Sequence, residues 1–496
     1  MQGKCYQKSA AYLTVYLALT MTVLLSLCFA LIEGVRCNAV GLEAECITDI
    51  GLNSVFAEYH RELWKQYNLL AIDSSYGTDY ANKANTRQHL KKYIEGNLSM
   101  EDLFLSEFLY RDFLALSLEE IDVTGVSVYT DEGGAVFRRR AAEAVKDDIG
   151  LALLEELRQW LQVVEEQELL GRDIGAEKQA VDREMEELIE EEEEEQEQEI
   201  FELTGRTESV DIDFENPTGW LELKRQMGIL EFAVSDYGNL STRILPGEDL
   251  VMHRMSKENI NCGNLQLRAF TSEEELVDRF LFQEYLLRYM GYYGDEKEDG
   301  ILKYQMEYLI IGEDCDLDNL RSMAERICLM REAANAVYLF SDEIKCAEAE
   351  VLATAIAALI QVPDLAPLLK TSLLLGWAFA ESLYDIKVLL AGGKVPLMKD
   401  ADTWHFSLEG ILQEQGCGEE GWELGLSYED YLRIWMMLTD VDDLTGRAMN
   451  VIEADIRQTP GNQHFRLDGC YDRIEVRVNI QSAYGYGHNF IREKGY

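Results

Sequence analysis

A chain of 496 residues with 47% hydrophobic content is long enough to bury a large core and to hold roughly two to four domains. Its formal net charge of −47 excludes a nucleic-acid binder, because phosphate contact needs clustered Lys and Arg. The same charge excludes a body lying flat on anionic lipid, and the scarcity of proline favours long helices.

The first element is the apolar stretch AYLTVYLALTMTVLLSLCFALIEGVR, residues 11–36. From Ser9 to Ile32 it carries no charge, and about 20 such residues cross a ~30 Å hydrocarbon core. A secretory h-region usually has only about 7–15. Cys28-Phe29-Ala30 offers a cleavage site at the far end of the run. Leu27 stands where a lipoprotein site before Cys28 wants a small residue. The expectation is an uncleaved anchor, with a cleaved signal as the alternative. Lys4 and Lys8 precede the span, and Glu33, Arg36, Glu43, Glu45 and Asp49 follow it. Positive charge stays inside, so the N-terminus is expected in the cytoplasm and the body outside the cell membrane. The apolar runs 351–362 and 371–380 are too short to span and read as core helices.

Beyond Arg36 the periodicity continues through Val35, Ala39, Leu42, Cys46 and Ile50, then Phe56, Tyr59, Leu63 and Tyr67. No proline interrupts residues 10–67, which predicts one rod of roughly 85 Å whose amphipathic outer half packs on the body. YNLLAID (67–73) reads as an extended exit, and helical patterns resume over 84–118. IDVTGVSVYT (121–130) reads as a strand and Asp131–Gly134 as a turn. Residues 135–200 read as a projecting helical hairpin, broken near Gly171–Gly175. It ends in EMEELIEEEEEEQEQE (184–199), a solvated helix or linker, or else a diffuse surface for cations or a partner.

Asn216 is a candidate N-cap with Pro217 in the first helical turn. Residues 235–265 are loop-rich. Helices are expected over 272–290, 299–311, 318–340, 344–361, 365–391 and 427–457. Ile474, Val476, Val478 and Ile480 alternate within 471–487, predicting a strand that shares a sheet with 121–130. YGYGHNF (484–490) reads as the loop after that strand, or as a recognition tip.

The fold class is therefore α+β, predominantly α: an N-terminal transmembrane helix continuing into a stalk, and an extracellular helical body with a small antiparallel sheet. The expected blocks are a cytoplasmic tail (1–9), a span (10–32), the stalk helix with the first part of the body (33–150), an acidic insertion (151–205), and a helical body with a C-terminal strand (206–496).

No HExxH, GxSxG or phosphate-loop motif is present, and the histidines are dispersed. The chain is not expected to be an enzyme or to need a cofactor. Two constellations stand as alternatives. Asp314, Asp316, Asp318 and Glu325 match EF-hand positions 1, 3, 5 and 12 for calcium. Asn319 replaces the turn glycine and Arg321 a small apolar residue, so Asp316 or Asp318 as the cap of a helix starting at Asn319 is the simpler reading. Glu381 and Asp385 share a helix face with Leu374, Trp377 and Val388. Paired acids on an apolar face suit acid–base hydrolysis, or structural ion pairs with Arg326 or Arg331. The cysteines form no CxxC pair. Cys328 and Cys346 read as buried thiols, and Cys262, Cys417 and Cys470 as disulfide candidates.

Several stretches resemble a bacterial envelope family known only as a domain of unknown function. They are LTVYLALTMTVLLSLCFALIEGVR, ECITDIGLNSVFAEYHRELWKQYNLLAID, YQMEYLIIGEDCDLDNL, MREAANAVY and WAFAESLYDIKVLLAGGKVPLMK. The resemblance implies an association with Tad-type pilus gene sets and a layout similar to minor pilin-like proteins; it implies no catalytic residues. Type IV prepilins carry Gly before the apolar run and Glu near its start, whereas here the nearest Gly is Gly3 and Glu33 lies at the outer end. The expected role is a single-pass, membrane-anchored structural or assembly component of a pilus or secretion system. Its expected partners are the bilayer, through residues 10–32, and other envelope proteins. An anchored hydrolase and an acidic cation-binding adhesion module are the alternatives.

Overall fold

The structure, a computed structural model, describes residues 5–78, 80–98, 114–150, 152–204, 206, 209–247, 249–257, 260–265, 272–412 and 421–496. In chain order it begins with α1 (Cys5–Phe56), α2 (Arg61–Tyr67), β1 (Ile72–Asp73), α3 (Lys83–Leu98) and β2 (Leu116–Val128). There follow α4 (Asp131–Val145), α5 (Ala152–Glu166), α6 (Ile174–Thr204), α7 (Gly219–Met227), α8 (Ile229–Ala233) and α9 (Val251–Ser256). The next helices are α10 (Ser272–Tyr289), α11 (Gln305–Ile311), α12 (Asp316–Ser341), α13 (Glu343–Leu359) and α14 (Ala366–Leu390). The chain closes with α15 (Leu408–Leu412), α16 (Tyr428–Leu438), α17 (Val441–Arg457), β3 (Cys470–Ser482) and β4 (Gly487–Gly495). The fold is α+β and predominantly helical, with one antiparallel sheet.

Two compact units interleave along the chain. The first combines residues 1–140, 254–270 and 456–496; the second combines 141–253 and 271–455.

In the first unit, α1 is long and apolar enough to cross a membrane, and residues 12–19 and 21–35 are exposed along it. The rod ends at Phe56 rather than Tyr67. The His60 N–H donates to the Ala71 carbonyl at 2.9 Å, and His60 Nδ1 accepts from the Leu63 N–H at 3.2 Å. This cap starts the separate helix α2 and turns the chain back. The buried face also differs from the predicted one. Val40, Ala44, Ile47, Leu52 and Val55 are buried, while Val35, Leu42, Cys46 and Ile50 face outward. Both stripes have helical spacing, so periodicity alone does not choose between them.

β3 is the centre of the sheet. It pairs antiparallel with β2 on one side, and with β1 and β4 at successive positions along its length. The predicted union of 121–130 with the C-terminal strand is present: Ile121 pairs with Val478, and Val126 with Ile474. The alternating Ile474, Val476, Val478 and Ile480 meet Ala44, Ile47, Leu52 and Val55 of α1 in one core, with Leu90 and Ile94 of α3. Each such side chain contributes roughly 1.5–3 kcal/mol when fully buried. α3 approaches α1 at Gly51, where a Cβ would stand 2.8 Å from Ile94 Cγ1. Register shifts at Leu118/Glu120, Val123/Gly125 and Ser127/Val128 explain why β2 alternates only in part. Of the helical pattern expected over 84–118, α3 bears out the part up to Leu98 and residues 116–118 belong instead to β2, while residues 99–113 lie outside the described residues.

The first part of YGYGHNF is a turn after β3, as expected, but the rest enters a further strand. Residues 483–486 turn the chain from β3 into β4, and His488–Phe490 lie on β4. The Tyr486 hydroxyl donates to the Glu33 carboxylate, and the Arg36 guanidinium lies 4.6 Å from the Tyr484 ring centroid.

In the second unit, α14 is a long helix buried over most of its length, and α12, α6, α13 and α8 pack against it. The segment read as a projecting hairpin instead presents one face inward. Met185 and Ile189 of α6 join Ala353, Ala357, Leu369 and Leu373 in a core, leaving most of the glutamates on the other faces. Asn216 organises the turn before α7 rather than capping it: its Oδ1 accepts from Thr218 N and Oγ1 at 3.0 and 2.9 Å.

Candidate functional site

α14 carries Glu381 and Asp385 one turn apart on a face buried by α12, and both are fully enclosed. A carboxylate taken out of water needs cations and N–H donors around it. α12 supplies Arg331, whose Nε donates to Asp385 Oδ2 at 3.0 Å. Arg331 Nη2 donates to Asn335 Oδ1 at 3.1 Å, and Nη1 to the Tyr431 hydroxyl at 3.3 Å. Asn335 Nδ2 adds a second donor to Asp385 Oδ2 at 3.0 Å. Of the two arginines expected from spacing, Arg331 is the partner; Arg326 instead lies over the Trp435 ring.

The other cation is Lys399, on the segment after α14. It bonds Glu381 Oε1 and stands 2.6 Å from Asp385 Oδ1. The backbone N–H groups of His405 and Phe406 donate to the two Glu381 oxygens at 2.9 and 3.0 Å. Trp422, Trp404 and Tyr384 surround the Lys399 ammonium with ring centroids at 4.6, 5.7 and 5.9 Å. Two cations and two anions thus form a closed, neutral set. Burial by itself would raise the Asp385 pKa, but Lys399 and Arg331 hold it below the ordinary carboxylate value. The cavity beside the cluster, lined by Trp220, Phe232, Tyr384 and Phe406, holds about 30 Å³, room for roughly one water. Sequence spacing found the two acids, with Arg331 as one of two alternative partners. It missed Lys399, which follows α14 in an irregular segment with no periodic signal.

The four acidic residues read against a calcium loop are not brought to one point. α12 opens at Asp316, one turn earlier than expected, so Asp316, Asp318 and Glu325 lie along a helix over roughly 14 Å. The buried Asp316 carboxylate accepts from Ser241 Oγ and from the backbone N–H groups of Lys303 and Tyr304 at 2.9 and 3.2 Å. Asp318 faces solvent and pairs with Arg321 at 3.2 Å. The Asp314 carbonyl accepts from Leu245 N. Among the described residues, no group of three or more His, Cys, Asp or Glu side chains is placed to hold a metal ion.

A further titratable group had no sequence signal. Glu307 of α11 is fully buried; its Oε1 accepts from Tyr293 N at 2.9 Å and the Tyr428 hydroxyl at 2.8 Å. Its Oε2 has no partner among the described residues. Burial pushes its pKa up to about 7, against the lowering effect of those two donors. Cys28, Cys37, Cys46, Cys262, Cys315, Cys328 and Cys346 form no disulfide. Cys328 is buried as expected, whereas Cys470 is not in a loop but opens β3, with Sγ toward the Arg466 carbonyl. Cys262 is exposed, and Cys417 lies outside the described residues.

Comparison with protein families matches residues 207–482, more than half of the chain, to a family of unknown function, DUF5702. The chain belongs to the DUF5702 family. The match takes in the whole Arg331–Glu381–Asp385–Lys399 cluster and reaches the end of β3. It leaves α1 and β4 outside. No curated protein and no solved structure matches the chain.

Proposed function

We propose that this DUF5702 protein is a single-pass, membrane-anchored structural component of an envelope assembly, pilin-like in layout, with its body outside the cell. The observation that carries the reading is α1. One helix runs without a break from a charge-free, fully exposed half into a half buried against a sheet. That joins a bilayer anchor rigidly to a folded body, which suits a protein that positions or transmits force. Tyr484 and Tyr486 meet α1 at Arg36 and Glu33, where the charge-free run ends. Tyrosines favour the headgroup level, so the β3–β4 turn would rest at the membrane surface. A role within a Tad-type pilus or secretion system is the finer form of this proposal.

The reading is non-enzymatic. An acid–base role for Glu381 and Asp385 would require a carboxyl that exchanges protons with a substrate, and both are enclosed by Lys399, Arg331 and backbone donors. The test is purification from intact membranes with N-terminal sequencing and external protease treatment. The expected product keeps residues 10–32, stays with the membrane, loses its body to the protease and brings envelope proteins with it. A soluble secreted product lacking residues 1–30 overturns the proposal.

A further inference from the structure

α1 carries two apolar stripes on opposite sides. The inner one, through Val40, Ala44, Ile47 and Val55, is covered by the sheet and α3. The outer one runs through Val35, Ala39, Leu42, Cys46 and Ile50 at helical spacing. Ala39 is half-buried and the rest is exposed, Val35 and Leu42 at 68% each and Ile50 at 47%. The stripe continues the exposed face of the charge-free run without a gap, yet Ile50 lies roughly 27 Å along the helix beyond Ile32. Lipid tails that cover Ile32 do not reach Ile50. A second apolar helix rising from the same membrane does.

Charge at the rim decides which helix. Glu43 on one side is exposed and has no partner among the described residues. Asp49 on the other side is half exposed and touches only the edge of Arg492, at 3.4 Å. A second copy of this chain would set Glu43 and Asp49 against the same residues, and each copy carries a net charge of −47. Residues 99–113 contain Glu101, Asp102, Glu107 and Asp112 against one Arg111, so they too bring the wrong sign. We infer that the Val35–Leu42–Ile50 face docks the membrane-anchored helix of a different protein, apolar on its contact face and flanked there by Lys or Arg. Opposite charges across the rim would fix the register, and like charges would reject self-association.

This inference rests on the anchored reading above, and one experiment separates the two. A photo-crosslinking residue is placed at Leu42 or Ile50 of the full chain in its native membranes. Cys37, exposed and half a turn round from Cys46, is the control position. The expected result is an adduct from Leu42 and Ile50 but not from Cys37. Mass spectrometry should find its crosslinked peptide in another membrane protein, within an apolar helix bearing Lys or Arg. Glu43→Lys should lower the adduct yield about fivefold or more at unchanged protein level. An adduct of two copies of this chain, an internal crosslink to residues 99–113, an adduct indifferent to Glu43→Lys, or no adduct from a membrane-bound protein each overturns the docking proposal alone. A protein recovered outside the membrane overturns the anchored reading as well.

Discussion

At the scale of single residues, the decisive feature is that Lys399 completes a neutral cluster with Arg331, Glu381 and Asp385, all four almost or fully excluded from solvent. Removing one member of a buried ion pair leaves a charge uncompensated, which costs about 3–5 kcal/mol. Lys399→Met should therefore lower the denaturation midpoint strongly. Adding Glu381→Gln restores neutrality and should recover part of the loss; thermal melts of the single and double variants check the coupling. Equal loss in both would show that the charge balance is irrelevant. Glu307 gives a pH prediction. Its carboxyl is held to about 7 by burial, against 4.5 unperturbed, so the folded state keeps a proton that the unfolded state has released. Its contribution is most favourable below about pH 4.5, and stability is lost as pH rises to about 7, by about 3 kcal/mol in all. Glu307→Gln should flatten that part of the stability–pH curve, measured by urea melts between pH 5 and 8. Spacing along α14 revealed Glu381 and Asp385, and a pair of buried acids called for a cation such as Arg331. Lys399 and Glu307 were illegible because burial of a lysine in an irregular segment, or of a glutamate in a two-turn helix, is a tertiary fact that no local pattern encodes.

At the scale of elements, helix and strand types were largely readable, because apolar period and turn residues set them locally. The ends and faces were not. α1 stops at Phe56 because a cap made with His60 and Ala71 competes with another helical turn. Its buried side is chosen by the sheet and not by its own sequence, which offers two stripes. β4 was hidden because Gly487–Gly495 alternates weakly and is polar on both faces. The contact between α1 and α3 depends on Gly51, where any side chain meets Ile94 and Leu90. Gly51→Val should overpack this crossing and cost about 1–3 kcal/mol. Hydrogen exchange is the suitable measurement, with faster exchange expected in α3 and unchanged exchange in α14 of the other unit. Slowed or unaltered exchange in α3 would contradict the packing described.

At the scale of the whole molecule, the net charge has a physical consequence. A net charge of −47 repels itself over distances set by the Debye length, about 30 Å at 0.01 M salt and about 10 Å at 0.1 M. Raising salt across that range should raise the melting temperature of the detergent-solubilised protein by a few degrees. A fall would mean that attractive ion pairs outweigh the repulsion. Composition made this self-repulsion legible from the start, whereas the interleaving of the two units was legible only in the predicted pairing of 121–130 with the last strand.

That pairing has a consequence for how the protein is made. Along this chain α1 is synthesised well before β3 and β4, the strands that cover its second half. Until β3 and β4 have been made, the face bearing Ala44, Ile47 and Val55 lacks the sheet that covers it. Contacts so distant in sequence form slowly and leave apolar surface open to wrong partners meanwhile. A chain truncated anywhere before residue 470 would therefore keep that apolar face without its cover, a surface by which an unfinished molecule differs from a finished one.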